Sequence, residues 1–461
     1  MNELKDFLTT IKTGRLATSV LAGGEKVDAN YREFRRYCAG AHRRVYGVNT
    51  LPGHRDDHEV AAGEQVSFQY DLIENHAIGG PPFHDARAAR CITLAKVYAT
   101  ARPGALISGG LFRRMAAAAV ADDFRPEVPI HASYSAGDVI PAAHWARALL
   151  GWIQLHDPYT LLPGEGMALV NGAFVHVGLA AALVFDLRQM WTRLLCAARA
   201  SLEVAGHDDG LERYFQHGAD DWYDQSLAYL YSGSHARRGA VQPAVSIRAV
   251  PQVVNALCEA VRQYCGVLDD ALSHASGNPM FDAQLSDAPV ENGSFLDPCL
   301  TIAASGLAEA LLLNGWASVQ RAKFVLSGQS IARTKDAATA SDPIGLVQWP
   351  KLAQAKLERM RVACGTRAFV SGGATSLGVE DLWSHGVETT ANVARALSLL
   401  QEILAIELYC ACAVLEVADE PHPFDETKLR GAKAVRLNET EVFRMAAKAA
   451  ANARDCPDFL L

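Results

Sequence analysis

The chain has 461 residues and a formal net charge of −8, and no run of lysine or arginine exceeds two residues. Binding to a phosphate backbone draws on clustered cations, so no nucleic-acid partner is expected. Cysteine is sparse, ten in all, without a single CxxC pair. Cys410 and Cys412, two apart in a helical pattern, project from different faces, and the others sit mainly in apolar helical patterns. Neither a disulfide framework nor a metal site is expected from them. The opening "MNELKDFLTTIKTGR" has no uninterrupted apolar core of a secretion signal. The most apolar run, Val177 to Phe185, is too short to cross a bilayer, so a soluble, cytoplasmic protein with no membrane partner is expected. Alternating strand patterns are scarce, and there is no internal repeat or low-complexity tract.

What is present is helical. With 50% hydrophobic residues and 20% charged, the chain can bury a sizeable core. Apolar residues recur at three- and four-residue spacing in "DARAARCITLAKVYATAR", "AAHWARALLGWIQL", "VPQVVNALCEAVRQYCGVLDDALSHA", "LTIAASGLAEALLLNGWASVQRAKFVL" and "VETTANVARALSLLQEILAIELYCACAVLEV". Gly- and Pro-rich punctuation such as "AIGGPPF", "YSAGDVIP" and "SGNPMF" falls mainly in the first three hundred residues. The expectation is an all-α chain: a loop-rich N-terminal helical domain over 1–190, then an elongated helical bundle over 191–461 ending in a charged tail.

Seven motifs follow one another: "VYGVNT" from Val45, "ENHAIGGPP" from Glu74, "SAGDVIPAAH" from Ser135, "EGMALVNG" from Glu165, "SIRAVPQ" from Ser246, "GNPMF" from Gly277 and "AIELYCAC" from Ala405. Taken in order, over roughly residues 40 to 415, the set resembles the histidine and aromatic amino acid ammonia-lyase family. The resemblance implies an ammonia-lyase-like fold, a small amino-acid-like substrate and a homotetramer whose sites combine loops of several subunits.

In that family an Ala-Ser-Gly loop cyclises. The glycine nitrogen attacks the preceding carbonyl, and two waters leave to give a methylidene-imidazolone, with the serine hydroxyl departing to create the exocyclic alkene. The matching triad here is Ser135-Ala136-Gly137, followed by Asp138, Pro141 and His144. Ala136 stands at the family's catalytic serine position and has no hydroxyl to lose, so the prosthetic group is not expected to form. A register shifted by one, Tyr134-Ser135-Ala136, would put a Cβ where cyclisation needs a glycine. A Ser→Ala change from a Ser-Ser-Gly parent is the other alternative.

The resemblance carries further residues. Tyr46 matches the catalytic tyrosine, a base once nearby positive potential lowers its pKa. Glu380 in "GVEDLW" matches the acid that faces the substrate amine. His76 matches a substrate-contacting histidine, Asn171 the asparagine that steadies the ring carbonyl, and Arg248 the arginine that grips the substrate carboxylate. Departures stand beside these matches. Leu51, Pro52 and Gly53 replace Gly-Phe-Gly after "VNT", Val245 stands where the family has a second tyrosine, and Val379 and Leu382 flank Glu380 in place of glutamine and histidine. In the run "HRDDH", His54 and His58 are four apart, a metal-binding spacing if helical, but a charged lid loop is the reading kept and no metal is expected.

Three functions follow. The first is elimination, isomerisation or cyclisation by acid–base chemistry without the electrophilic ring. The second is a conventional ammonia-lyase or aminomutase whose triad serine is absent from this copy. The third is a non-catalytic relative acting as an assembly partner.

Overall fold

Periodic apolar stretches become helices wherever a capping group or a break in the pattern bounds them. The computed structural model describes residues 2–39, 43–133, 136–206, 211–216, 221–232, 242–327, 346–365, 373–417, 438–453 and 456–457. In order these form α1 (Asn2–Thr13), α2 (Thr18–Ala39), α3 (Gln65–His76), α4 (Ala86–Thr100), α5 (Gly109–Val120), α6 (Val139–His156), α7 (Glu165–Val170), α8 (Phe174–Ala205), α9 (Trp222–Leu230), α10 (Val245–Arg248), α11 (Val250–Ser273) and α12 (Pro298–Val325). Helices Gln348–Cys364, Gly386–Val417 and Glu439–Asn452 follow. Asp85 starts α4 by accepting from the Ala88 amide, and Ser108 starts α5 by accepting from the Leu111 amide. Strand character among the described residues is confined to isolated bridges such as Thr50 with Glu59 and Thr375 with Glu380. The all-α expectation holds.

The chain divides into two compact units. The first comprises Met1–Leu183, Tyr264–Ala304 and Arg367–Ala391. In it α2, α4 and α5 pack together, as do α3, α6 and α7. Tyr31, Phe34, Val45, Val48, Leu106 and Phe281 form a buried cluster, which anchors the turn carrying Tyr46 on both sides of that residue. The second unit comprises Val184–Gln263, Ser305–Thr366 and Asn392–Leu461. Its interior holds a bidentate ion pair, Arg321 Nε and Nη2 to the Glu407 carboxylate at 2.6 and 3.0 Å, joined by the Ser201 hydroxyl at 2.7 Å. The helix in the tail begins with a capping box formed by Asn438 and Glu441. Most of the tail from Ala418 lies outside the described residues.

One expectation is corrected. The run Val177 to Phe185 lies within α8 and belongs to a longer apolar stretch. By length and composition Glu165–Ala205, Pro298–Val325 and Gly386–Leu415 could each cross a membrane. Sequence reading judged only the uninterrupted run, whereas helices carry their apolar faces past scattered polar residues. In their most apolar windows 89%, 50% and 78% is buried within the protein. The first and third therefore spend their apolar surface on the interior. Cys410 and Cys412 are both buried, as expected of small apolar fillers.

Candidate active site

The turn Ala136–Asp138 leads into α6 and carries two left-handed residues, Gly137 (φ 79°) and Asp138 (φ 49°). Glycine takes this conformation at no steric cost, whereas an aspartate there is held by its surroundings. The Ser133 hydroxyl donates to the buried Asp138 carboxylate. Burial pushes that carboxyl up to about 6. Ala136 is buried, and Ser135 and Tyr134 lie outside the described residues. The triad is therefore seen through its second and third members.

Asn171 ends α7, and its amide reaches this turn: a Cβ on Gly137 would lie 3.5 Å from Asn171 Nδ2 and 3.5 Å from Phe295 Cβ. Asn171 is 8% exposed, and its Oδ1 has no hydrogen-bond partner among the described residues. Its backbone is pinned by Lys96, whose ammonium group donates to the Asn171 carbonyl at 2.8 Å and to the Ala168 carbonyl, and lies 4.4 Å from the Phe174 ring centroid. These are orphan carbonyls at the end of a short helix, where a cation is favourable. Burial without a carboxylate partner lowers the Lys96 pKa to about 7. Five residues beyond Asn171, the ring of His176 lies against Gly386, where a Cβ would fall 2.1 Å from Nδ1. Both His176 nitrogens are buried without a partner, and burial lowers its pKa to about 4.

Tyr46 and Glu380 make a second polar group in the same unit. The Gly53 amide donates to the Tyr46 hydroxyl at 2.9 Å. Gly53 also packs on Ser376, whose Oγ would be 3.2 Å from a Cβ at that position. Thr375 then pairs with Glu380 through backbone bonds of 2.9 and 3.3 Å, and its hydroxyl donates to the Glu380 carboxylate. Burial raises the Tyr46 pKa, the Gly53 amide opposes that rise, and the charges of Glu380 and Asp56 add to it. The acidity of the phenol thus moves away from what a base needs. Val379 and Leu382, 61% and 67% exposed, flank Glu380 as an apolar rim.

The other expected residues stand apart from these groups. His76 closes α3, half-buried, with Nδ1 2.7 Å from the Leu72 carbonyl oxygen. Val245 and Arg248 belong to α10 in the second unit. Both are exposed, and Arg248 has no ion-pair partner among the described residues. The His54 to His58 run is not α-helical: a single 3₁₀ turn, Gly53–Arg55, ends before His58, whose Nδ1 meets Asp57 at 2.5 Å. The spacing therefore loses the geometry that would have made it a ligand pair. Lys96 and His176 escaped the sequence reading, although each is a lone ionisable residue inside an apolar helical run, "CITLAKVYAT" and "FVHVGLAAAL".

Comparison with known proteins bears on this geometry. Histidine ammonia-lyase of Pseudomonas fluorescens is 27% identical over 317 residues, covering 62% of this chain and 61% of that enzyme. The match thus spans about three fifths of that relative. Among solved structures, tyrosine aminomutase from Streptomyces globisporus superposes with a TM-score of 0.82 at 18% identity, covering 97% of this chain and 95% of that one. Histidine ammonia-lyase from Trypanosoma cruzi gives 0.79 at 19% identity, covering 96% and 89%. These two show the fold. The family profile for aromatic amino acid lyases matches residues 21–437. With nine-tenths of its length inside that profile, the chain belongs to the aromatic amino acid lyase family.

Proposed function

We propose that this chain is a lyase-like enzyme that acts on a small amino-acid-derived substrate by acid–base elimination, isomerisation or cyclisation, without a methylidene-imidazolone. The observation that carries the reading is Ala136. Gly137, left-handed and beside the donating Nδ2 of Asn171, suits that ring. Ala136 does not, because a methyl group offers no leaving group from which the alkene could arise. The residues present therefore do not fit the group, and no step is drawn through it.

Proton transfer then falls to Tyr46 and Glu380. Tyr46, kept neutral by burial and by the nearby carboxylate, serves as the acid, and Glu380, oriented by Thr375, takes the proton. This reverses the role expected of Tyr46 from the resemblance. The free guanidinium of Arg248 suits a substrate carboxylate, and a homotetramer would let loops of neighbouring copies close the site. Such a substrate needs an acidic carbon or a good leaving group of its own.

The second reading, an ammonia-lyase or aminomutase deprived of its serine, draws on the same Asn171 amide beside Gly137. Ala136→Ser separates the two by restoring Ser-Ser-Gly. The ring-free reading expects at most slow deamination of histidine, phenylalanine or tyrosine by that variant. It also expects Tyr46→Phe and Glu380→Gln each to cut the turnover of the unaltered chain by about 100-fold. Brisk deamination by Ala136→Ser would establish the second reading instead.

A further inference from the structure

A cavity of about 800 Å³ opens between α2 and α5 in the first unit and shares no residue with the candidate active site. Its size falls in the range of small-molecule pockets. The sequence explains why it exists. Gly24 lets the Phe112 ring come so close that a Cβ would lie 2.7 Å away, while Ala116 and Ala117 leave the facing wall low. Leu16, Leu21 and Val120 line the apolar end, and Leu21 is 52% exposed there.

The charges around this floor are not random. Asp28 is already used, accepting from the Gly109 amide at 2.9 Å and pairing with Arg32 at 3.3 Å. Glu25 and Arg113 are different, since both line the cavity and neither has a partner among the described residues. Because Gly24 faces Phe112 and Asp28 faces Gly109, the two helices run past each other in opposite directions. Glu25 and Arg113, the residues following Gly24 and Phe112, therefore stand at the same level on facing helices. They make no ion pair with each other, and both are exposed where they line the cavity. One helical turn before Glu25 and one turn after Arg113 lie Leu21 and Ala117, at the apolar end.

We propose that this cavity is a second binding site, distinct from the active site, for a free α-amino acid with an apolar side chain. The ligand ammonium meets Glu25, its carboxylate meets Arg113 as a two-pronged acceptor, and its side chain lies on Leu21, Phe112 and Val120. A zwitterion with adjacent charges fits two unpaired charges of opposite sign beside one apolar floor. A hydrocarbon would leave both charges unanswered, and a simple anion or cation would leave one. The proposal does not rest on the reading of the active site.

The test is calorimetric titration of the full chain with L-phenylalanine, 3-phenylpropionate and 2-phenylethylamine. The expected result is a pattern of matched losses. Glu25→Gln weakens L-phenylalanine and 2-phenylethylamine about fivefold and leaves 3-phenylpropionate unchanged. Arg113→Gln weakens L-phenylalanine and 3-phenylpropionate similarly and leaves 2-phenylethylamine unchanged. Ala117→Phe, at an exposed position, fills the floor and abolishes this class of sites without lowering the melting temperature. If all three variants bind the three probes as the unaltered chain does, the proposal is overturned. Binding lost only in Arg248→Gln also overturns it, while leaving the active-site reading standing.

Discussion

Two buried polar sites in this molecule, one in each unit, differ in how their groups are answered. In the second unit, Arg321 and Glu407 are 1% and 0% exposed and answer each other through two hydrogen bonds, with Ser201 supplying a third. In the first unit, Asn171 beside Gly137 has no donor to its Oδ1, His176 against Gly386 has no partner for either nitrogen, and Lys96 is answered by carbonyls and a ring rather than by a carboxylate. Each unsatisfied buried group costs about 1–3 kcal/mol, and the second unit carries a few as well, Asn314 Oδ1 and Ser318 Oγ among them. The first of these open groups, Asn171, stands beside the left-handed turn of Gly137 and Asp138. Under the ring-free reading proposed above, the surroundings of the triad are kept while Ala136 has no hydroxyl to lose.

The largest expected effect breaks the satisfied region. Arg321→Met leaves the Glu407 carboxylate buried without its partner and should cost about 3–5 kcal/mol in chemical denaturation. Arg321→Met combined with Glu407→Leu should recover most of that loss, because the pair is exchanged for packed apolar groups of similar size.

Next comes the contact between Gly386 and His176. Gly386→Ala drives a methyl group into the imidazole and should cost about 2 kcal/mol. Adding His176→Ala makes room and should return much of it. A Gly386→Ala chain as stable as the parent would show that the ring is not wedged where it is placed.

The pH dependence of stability sharpens the contrast. The Lys96 pKa is depressed from 10.5 to about 7 in the folded chain. Between those values the unfolded chain binds a proton that the folded chain does not, so stability rises with pH across that window. The His176 pKa is depressed from 6.5 to about 4, so stability falls as pH drops between them. Lys96→Met should flatten the first slope and His176→Leu the second, both read from denaturation midpoints across pH.

The smallest effect belongs to the lid. Arg44 and Glu59 pair at 2.9 Å, both exposed. Arg44→Ala should leave the melting temperature unchanged within error, because solvent and salt screen such pairs.

Much of this architecture was legible from local pattern. Helical periodicity located the long helices, and "SAGD" located the turn before α6, with its glycine. The same four letters did not reveal that Asp138 is left-handed too, because its conformation is held by Ser133 and by burial rather than by intrinsic preference. Lys96 and Asn171 are 75 residues apart, and Arg321 and Glu407 are 86 apart. No periodicity links such positions, so their partnerships appear only once the helices pack. The direction of the Tyr46 pKa was hidden for the same reason. It is set first by burial, to which the charge of Glu380 adds, and both arise only when distant segments pack together. The conformation of the His54 to His58 run is a local matter: the proline and glycine of "LPGHRDDH" begin a 3₁₀ turn and not an α-helix.

The central claim is that the kept surroundings of the triad hold no ring, and the mass of the intact full-length chain tests it most directly. The account predicts the mass of the unmodified sequence for the parent chain, with loss of two waters only in Ala136→Ser. A parent chain lighter by two waters would contradict it, and would place the cyclisation at Tyr134-Ser135-Ala136.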